Sequence, residues 1–173
     1  MYEVDGGPGI PDGFALLAGG IQPTEDSIVF AKAQLAFWLL AAPDGHAKNF
    51  SIFLRRDGYV LTPLYDVISA WPVVGPRANQ WAQQKVKLAM AVRGTRPHRE
   101  LHRVAYRHWL RLASQTGAPD ASEQLAAMVE GAENALRRVE STLPKGFPER
   151  VWTTISRGVL SQRERFLAGA NAV

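Results

Sequence analysis

The sequence predicts one mainly α domain carrying a single small β-ribbon. Three observations predict it. Apolar residues recur at helical spacing over Glu25–Ala41 and again from Pro97 onward, and two short β-type runs flank the pair Asp57-Gly58. The 173 residues, 46% hydrophobic and 21% charged, have the proportions of one ordinary globular core rather than of a disordered or fibrous chain. A domain of this size buries about two thirds of the surface its unfolded chain exposes, so it needs no disulfide or structural metal. Cysteine is absent, which excludes a disulfide framework, Cys-ligated zinc, an iron–sulfur cluster and a thiol nucleophile. A cytoplasmic protein with no membrane contact is expected. Its longest apolar stretch, Leu35 to Pro43, is well short of the roughly 20 residues of a membrane-spanning helix, and acids stand where a signal peptide carries bases. The net charge of +4 permits a polyanionic partner without assigning one.

Met1 to Gly20, with Asp5-Gly6-Gly7-Pro8-Gly9, reads as a loop-rich lead-in with one short helical piece at Phe14–Leu17. After Pro23, Thr24 is an N-cap candidate and Glu25 and Asp26 suit the first turn, so a largely buried helix is expected over Glu25–Ala41. Pro43 stops it, and Asp44-Gly45-His46-Ala47-Lys48-Asn49 is too polar to continue it. Phe50–Leu54 and Tyr59–Thr62, separated by a turn containing Asp57-Gly58, form a hairpin. Leu64–Ile68 is a turn or short helix, Trp71–Asn79 is a loop, and Gln83–Val92 fits neither period. Helices are expected at Pro97–Thr116, Ala121–Thr142 and Pro148–Ala168. There is no repeat and no linker. The expected organisation is a single domain over 1–173, with a lead-in over 1–20, a helix-loop-hairpin unit over 24–70 and a helical part over 97–170.

Chemistry concentrates in the loop. Asp44 and Asn49 have the D-x-x-x-x-N spacing of a protein-kinase catalytic loop, although two residues at this spacing also suit an Asx-rich turn capped by its own side chains. The hairpin adds a third group. Strands of about five residues travel roughly 17 Å out and the same distance back, which returns Asp66 to the neighbourhood of the loop. One amide and one carboxylate suffice for Mg²⁺ when phosphates and water complete its shell. Asp44 would then be the base or substrate-orienting group, Asn49 and Asp66 the metal ligands, and His46 and Lys48 polar neighbours that neutralise phosphate or hold the loop.

Ala42-Pro43-Asp44-Gly45-His46-Ala47-Lys48-Asn49-Phe50-Ser51 and Leu61-Thr62-Pro63-Leu64-Tyr65-Asp66-Val67-Ile68-Ser69 resemble the HipA family, the serine/threonine kinase toxins of bacterial toxin–antitoxin pairs. Asp5-Gly6-Gly7-Pro8-Gly9-Ile10, Lys87-Leu88-Ala89-Met90 and Leu143-Pro144-Lys145-Gly146-Phe147-Pro148-Glu149 extend the similarity over almost the entire chain. The resemblance implies a kinase-like fold in two lobes, ATP and Mg²⁺ as cofactors, and phosphorylation of a protein serine. It also implies a DNA-binding antitoxin of the HipB type as partner, DNA contact within that complex, and a substrate resembling an aminoacyl-tRNA synthetase, with growth arrest and drug tolerance (persistence) as the outcome. Carried over, Asp44 matches the catalytic Asp, Asn49 and Asp66 the Mg²⁺ ligands, and His46, Lys48 and Tyr65 motif residues on the nucleotide side. The family's Gly-rich phosphate loop, its phosphate-reaching Lys and its regulatory serine have no counterpart here. The chain is therefore expected to be the C-terminal lobe, requiring an N-terminal lobe or companion subunit, and alone to bind ATP weakly and transfer phosphate slowly or not at all.

Arg99, Arg103, Arg107 and Arg111 recur every four residues in the helix expected after Pro97, flanked by Arg93 and Arg96. They form either a basic stripe for DNA or another polyanion, or a solvated helix face. His98 and His102 share i,i+4 spacing without a completing ligand pattern, and read as chance neighbours. Trp71, Trp81, Trp109 and Trp152 read as core or lobe-packing anchors, and His108 as a core neighbour. Two other functions remain open besides the kinase lobe: a non-catalytic antitoxin- or DNA-binding module, and, last, a metal-dependent phosphoesterase, which lacks a second carboxylate cluster.

Overall fold

The computed structural model describes residues 2–172. In chain order its elements are α1 (Ile10–Leu17), α2 (Pro23–Leu39), β1 (Ile52–Arg55), β2 (Gly58–Leu61), β3 (Lys87–Arg93), β4 (Pro97–Glu100), α3 (Tyr106–Ala113), α4 (Ala121–Glu130), α5 (Ala132–Glu140) and α6 (Glu149–Ala170). Among the described residues one 3₁₀ turn, Glu3–Asp5, precedes α1 and four more lie between the elements, including Ala47–Asn49 and Leu101–Arg103. The fold is mainly α as expected, but it holds two antiparallel hairpins, β1–β2 and β3–β4, where one was expected.

α2 is the central rod. Phe30, Ala31, Leu35, Phe37, Trp38 and Leu39 are all buried, because neighbours cover it on nearly every side. It starts two residues earlier than expected: Pro23 takes the first helical position, its fixed φ suiting the helix and its missing N–H costing nothing there, so Thr24 lies inside the helix rather than capping it. α1 is also longer than expected, because the Asp12 carboxylate accepts from the Gly9 N–H at 2.8 Å and closes the first turn.

α6 packs along α2 and is fixed by polar contacts. Gln162 Nε2 donates to the Trp38 carbonyl at 3.3 Å. Arg165 spreads its guanidinium over the carbonyls of Leu101 (3.0 Å), Val104 (2.8 Å) and His102, and lies 5.7 Å from the Trp38 ring. Burial lowers the pKa of this guanidinium below its ordinary value. Trp71 sits so close to α6 that a Cβ on Gly158 would come within 2.3 Å of its ring, so only glycine allows this packing.

The largest correction falls on the helix expected at Pro97–Thr116. Its first part is β4, then the 3₁₀ turn Leu101–Arg103, and the helix begins only at Tyr106. β3 explains the change. Leu88 to Val92 are buried without a break, so the strand shows neither a helical nor a two-residue period, and it claims 97–100 as its partner through the pairs Lys87–Glu100, Val92–His98 and Arg93–Pro97. The helix expected at Ala121–Thr142 is likewise two, separated at Gly131. Trp71 and Trp109 are buried as expected, whereas Trp81 is 51% exposed and anchors no core. Trp152 is half-buried and donates to Glu140 at 2.8 Å.

Candidate functional site

The loop after α2 is held from beneath. Ala41 and Ala42 are buried, with Ala41 at a positive φ of 49° that turns the chain out of the helix. Gly45 then crosses the Phe37 ring at a distance a Cβ would reduce to 2.4 Å. Beyond it the loop fastens to itself: the His46 N–H donates both to the Asp44 carbonyl (2.9 Å) and to Asn49 Oδ1 (3.0 Å), and the Asn49 N–H donates to the His46 carbonyl (2.9 Å). Asn49 is 2% exposed, while Asp44 lies open to solvent.

The hairpin is tied to the helices rather than projecting freely. The Ile21 N–H donates to the Tyr59 carbonyl (2.9 Å), the Tyr59 hydroxyl to the Leu16 carbonyl (2.6 Å), and the Leu61 N–H to the buried carboxylate of Asp26 (2.9 Å). Its turn is tighter than expected, with Arg55 paired to Gly58 and φ of +147° at Gly58, which side chains rarely adopt. Past Leu61 the Thr62 N–H bonds the Ser51 carbonyl (2.9 Å), and the chain arrives at Asp66.

The structure brings Asn49 and Asp66 together across 17 residues: Asn49 Nδ2 donates at 3.3 Å to both the carbonyl and Oδ2 of Asp66. Asp66 has a positive φ of 54°, a conformation that Asp tolerates better than most residues. Leu64–Ile68 forms no helix. Tyr65 buttresses the loop, its hydroxyl donating to the Lys48 carbonyl and accepting from Ser51 Oγ, both at 2.7 Å. Lys48 itself is exposed. His46 Nε2 lies 3.6 Å from Asp44 Oδ1.

Sequence reasoning missed Tyr2, whose hydroxyl donates to Asp44 Oδ1 at 2.5 Å and whose ring meets His46 edge-on at 5.1 Å. The hydrogen bond to Asp44, then its negative charge, raise the Tyr2 pKa above the usual tyrosine value. A separation of 42 residues leaves no local pattern to signal the contact.

The arginines do not form one stripe. Arg99 is on β4 and lies 3.4 Å from Glu3, which also takes Arg93 at 3.2 Å; Arg103 is on the 3₁₀ turn; only Arg107 and Arg111 share a face of α3, both exposed. His98 and His102 are not helix neighbours. The His98 ring stacks on His108 at 4.3 Å, and burial, with the charges of His98 and Arg107, lowers the His108 pKa to about 4. Among the described residues no three His, Cys, Asp or Glu side chains gather to hold a metal. An apolar cleft of about 420 Å³ beside β1 has Asp12 as its one charged side chain, which is unsuited to phosphate. No helix among the described residues is long and apolar enough to cross a membrane.

A helical domain that returns an amide and a carboxylate to one acid-bearing loop is the class of protein this geometry defines. A family model described as the HipA-like C-terminal domain matches residues 2–142, and the chain belongs to that family. It is 33% identical over 91 residues to Y4mE of Sinorhizobium fredii, named as a candidate kinase, with 51% of this chain and 22% of that protein covered. Its fold matches HipA in the Shewanella oneidensis complex of HipA, HipB and operator DNA, with a TM-score of 0.79 at 20% identity, covering 96% of this chain and 38% of that one. The chain thus spans well under half the length of either relative.

Proposed function

We propose that this chain is the loop-bearing lobe of an ATP- and Mg²⁺-dependent protein serine/threonine kinase acting in a toxin–antitoxin system. The observation that carries the proposal is the Asn49–Asp66 contact, made while Asn49 Oδ1 is fixed by the His46 N–H and Asp44 stands five residues upstream on the same loop. The donor set fits the cation: hard oxygens from one amide and one carboxylate, with Asp66 exposed and a second lone pair on Asn49 Oδ1 beyond the one His46 uses. When bound, Mg²⁺–ATP supplies the transferable phosphoryl group and neutralises its charge. Asp44 orients the acceptor serine and takes its proton, Asn49 and Asp66 hold the cation, His46 and Lys48 flank the phosphates, and Tyr65 keeps the loop in place.

Transfer would require a nucleotide-covering lobe, on the same polypeptide or supplied in trans, since both relatives are longer than this chain. The solved complex supports a HipB-like antitoxin and operator DNA as partners. An aminoacyl-tRNA synthetase is the proposed serine-bearing substrate. A second reading, a binding module for antitoxin or DNA, is favoured by one feature, the exposed arginines Arg103, Arg107 and Arg111.

Calorimetry of Mg²⁺-dependent ATP binding tests the kinase reading, comparing the chain alone with the chain joined to an ATP-binding lobe. Binding in the joined form that weakens in Asp66→Asn is expected. No binding in either form would overturn the kinase reading and leave the binding module.

A further inference from the structure

Asp44 is the exposed end of a loop whose other end is buried, and no residue within 42–50 donates a hydrogen bond to its carboxylate. The only hydrogen bond to that carboxylate among the described residues comes from Tyr2. At 2.5 Å it lies at the short end for a hydroxyl on an ionised acid. His46 stands on the same oxygen, 3.6 Å away, and presents its ring to Tyr2 at 60°. Oδ1 is therefore enclosed by a phenol and an imidazole, while Oδ2 has no partner among the described residues.

Tyr2 is itself held from several directions. Its carbonyl accepts from the Asp5 (3.0 Å) and Gly7 (2.9 Å) N–H groups. The next residue, Glu3, has a carboxylate 10% exposed that accepts from the Ala91 N–H at 2.6 Å and pairs with Arg93 and Arg99. One arginine of the expected stripe, Arg99, and the flanking Arg93 thus clamp Glu3 to the β3–β4 hairpin, and Glu3 fixes the backbone from which Tyr2 reaches the loop. The clamp is expensive to improvise: a Cβ on Gly9 would strike Glu3 at 2.7 Å, so the turn that returns the chain is built around that carboxylate.

We propose that Tyr2 is a positioning residue for Asp44, holding Oδ1 together with His46 so that Oδ2 faces the acceptor hydroxyl. This rests on the kinase reading of Asp44 and deepens it. A carboxylate on a solvent-exposed loop samples several χ rotamers, and a donor fixed from outside the loop selects one of them before substrate arrives. Near-attack geometry is sensitive at this scale, since a misplacement of about 1 Å costs roughly 100-fold in rate.

Two measurements test the inference. In the chain as it stands, carbon-13 NMR of the tyrosine Cζ should show Tyr2 titrating above its ordinary value of 10, and Asp44→Asn should bring it back towards 10. In the chain joined to an ATP-binding lobe, Tyr2→Phe should lower kcat for serine phosphorylation by about 10- to 100-fold with KM for ATP unchanged, and should cost nothing further in an Asp44→Asn background. Glu3→Gln, which keeps the phenol but loosens its anchor, should lower kcat less. A Tyr2 titration indifferent to Asp44→Asn would overturn the contact. Wild-type kcat in Tyr2→Phe, in a form that Asp44→Asn inactivates, would overturn the positioning role alone. Full activity in Asp44→Asn would overturn the kinase reading of Asp44 and the role of Tyr2 with it.

Discussion

The two hairpins have the same topology and opposite roles. β1–β2 lies at the surface, with Phe53 49% and Leu54 79% exposed, and its ends carry Asn49 on one side and Asp66 on the other. In the second hairpin β3 lies inside, with Leu88, Ala89, Met90, Ala91 and Val92 all buried and α3 and α1 packed on it, while β4 pairs along its edge. The first is a ribbon defined by its turn, tethered to α1 through the Tyr59 hydroxyl and to α2 through the Asp26 carboxylate so that the two candidate site residues meet. The second is a wall of the core. The proposed site chemistry and the stability of the core thereby fall to separate ribbons, and damage to one should leave the other's property largely intact.

The separation is broken most forcefully at the site. Asp44→Asn in the lobe-complemented chain should reduce phosphoryl transfer by about 100- to 10,000-fold, read as phosphoserine formed per minute, with the melting temperature unchanged. A comparable loss of both would show that the loop is structural. Next in size, Leu88→Ala in β3 should destabilise the fold by about 2–5 kcal/mol in denaturant unfolding, because a buried side chain is replaced by a cavity. Leu54→Ala, on the exposed ribbon, should stay within about 0.5 kcal/mol.

Gly58→Ala sharpens the comparison. It places a Cβ at φ +147° and 3.0 Å from Ile21, so a cost of roughly 1–3 kcal/mol is expected, concentrated in the hairpin. Hydrogen exchange should rise at the Leu61 and Thr62 amides and stay unchanged at Ala91.

The smallest effect is on pH dependence. Because His108 is held neutral with a folded pKa of about 4 against an ordinary 6.5, the unfolded chain takes up its proton first as pH falls. The stability this group contributes is present above pH 6.5 and lost progressively towards pH 4. His108→Gln, which can still accept the Ala105 N–H bond that His108 Nδ1 takes at 3.0 Å, should flatten that part of the profile. An unaltered profile would mean that His108 is not held neutral by the β3–β4 wall.

The contrast also explains which parts of the molecule could be read from the chain. The polar loop Asp44–Asn49 and the first hairpin were legible because their signals are local: Pro43 and Gly45 punctuate the helix end, and Asp57-Gly58 marks the turn. The return of Asp66 followed from strand length alone, whereas the two 3.3 Å contacts that join it to Asn49 depend on the Asp26 and Tyr59 tethers. The strand at 97–100 was not legible. Arg99, Arg103, Arg107 and Arg111 do recur at helical spacing, yet a four-residue strand has little propensity of its own to oppose that pattern, and its identity comes from pairing with β3.

By itself the sequence determined the mainly α composition, the central buried helix, the surface hairpin and the acid–amide loop, because each is set by residues within one or two turns of one another. Tertiary structure alone decided the second hairpin, the division of the arginines between a Glu3 clamp and an open face of α3, and the reach of Tyr2 to Asp44. The Glu3 clamp and the Tyr2 contact join groups far apart in the chain, where no local pattern can signal them. The second hairpin joins neighbours in sequence, but its first strand is buried without a break, so its pairing is set by the core packed on β3 rather than by a local period.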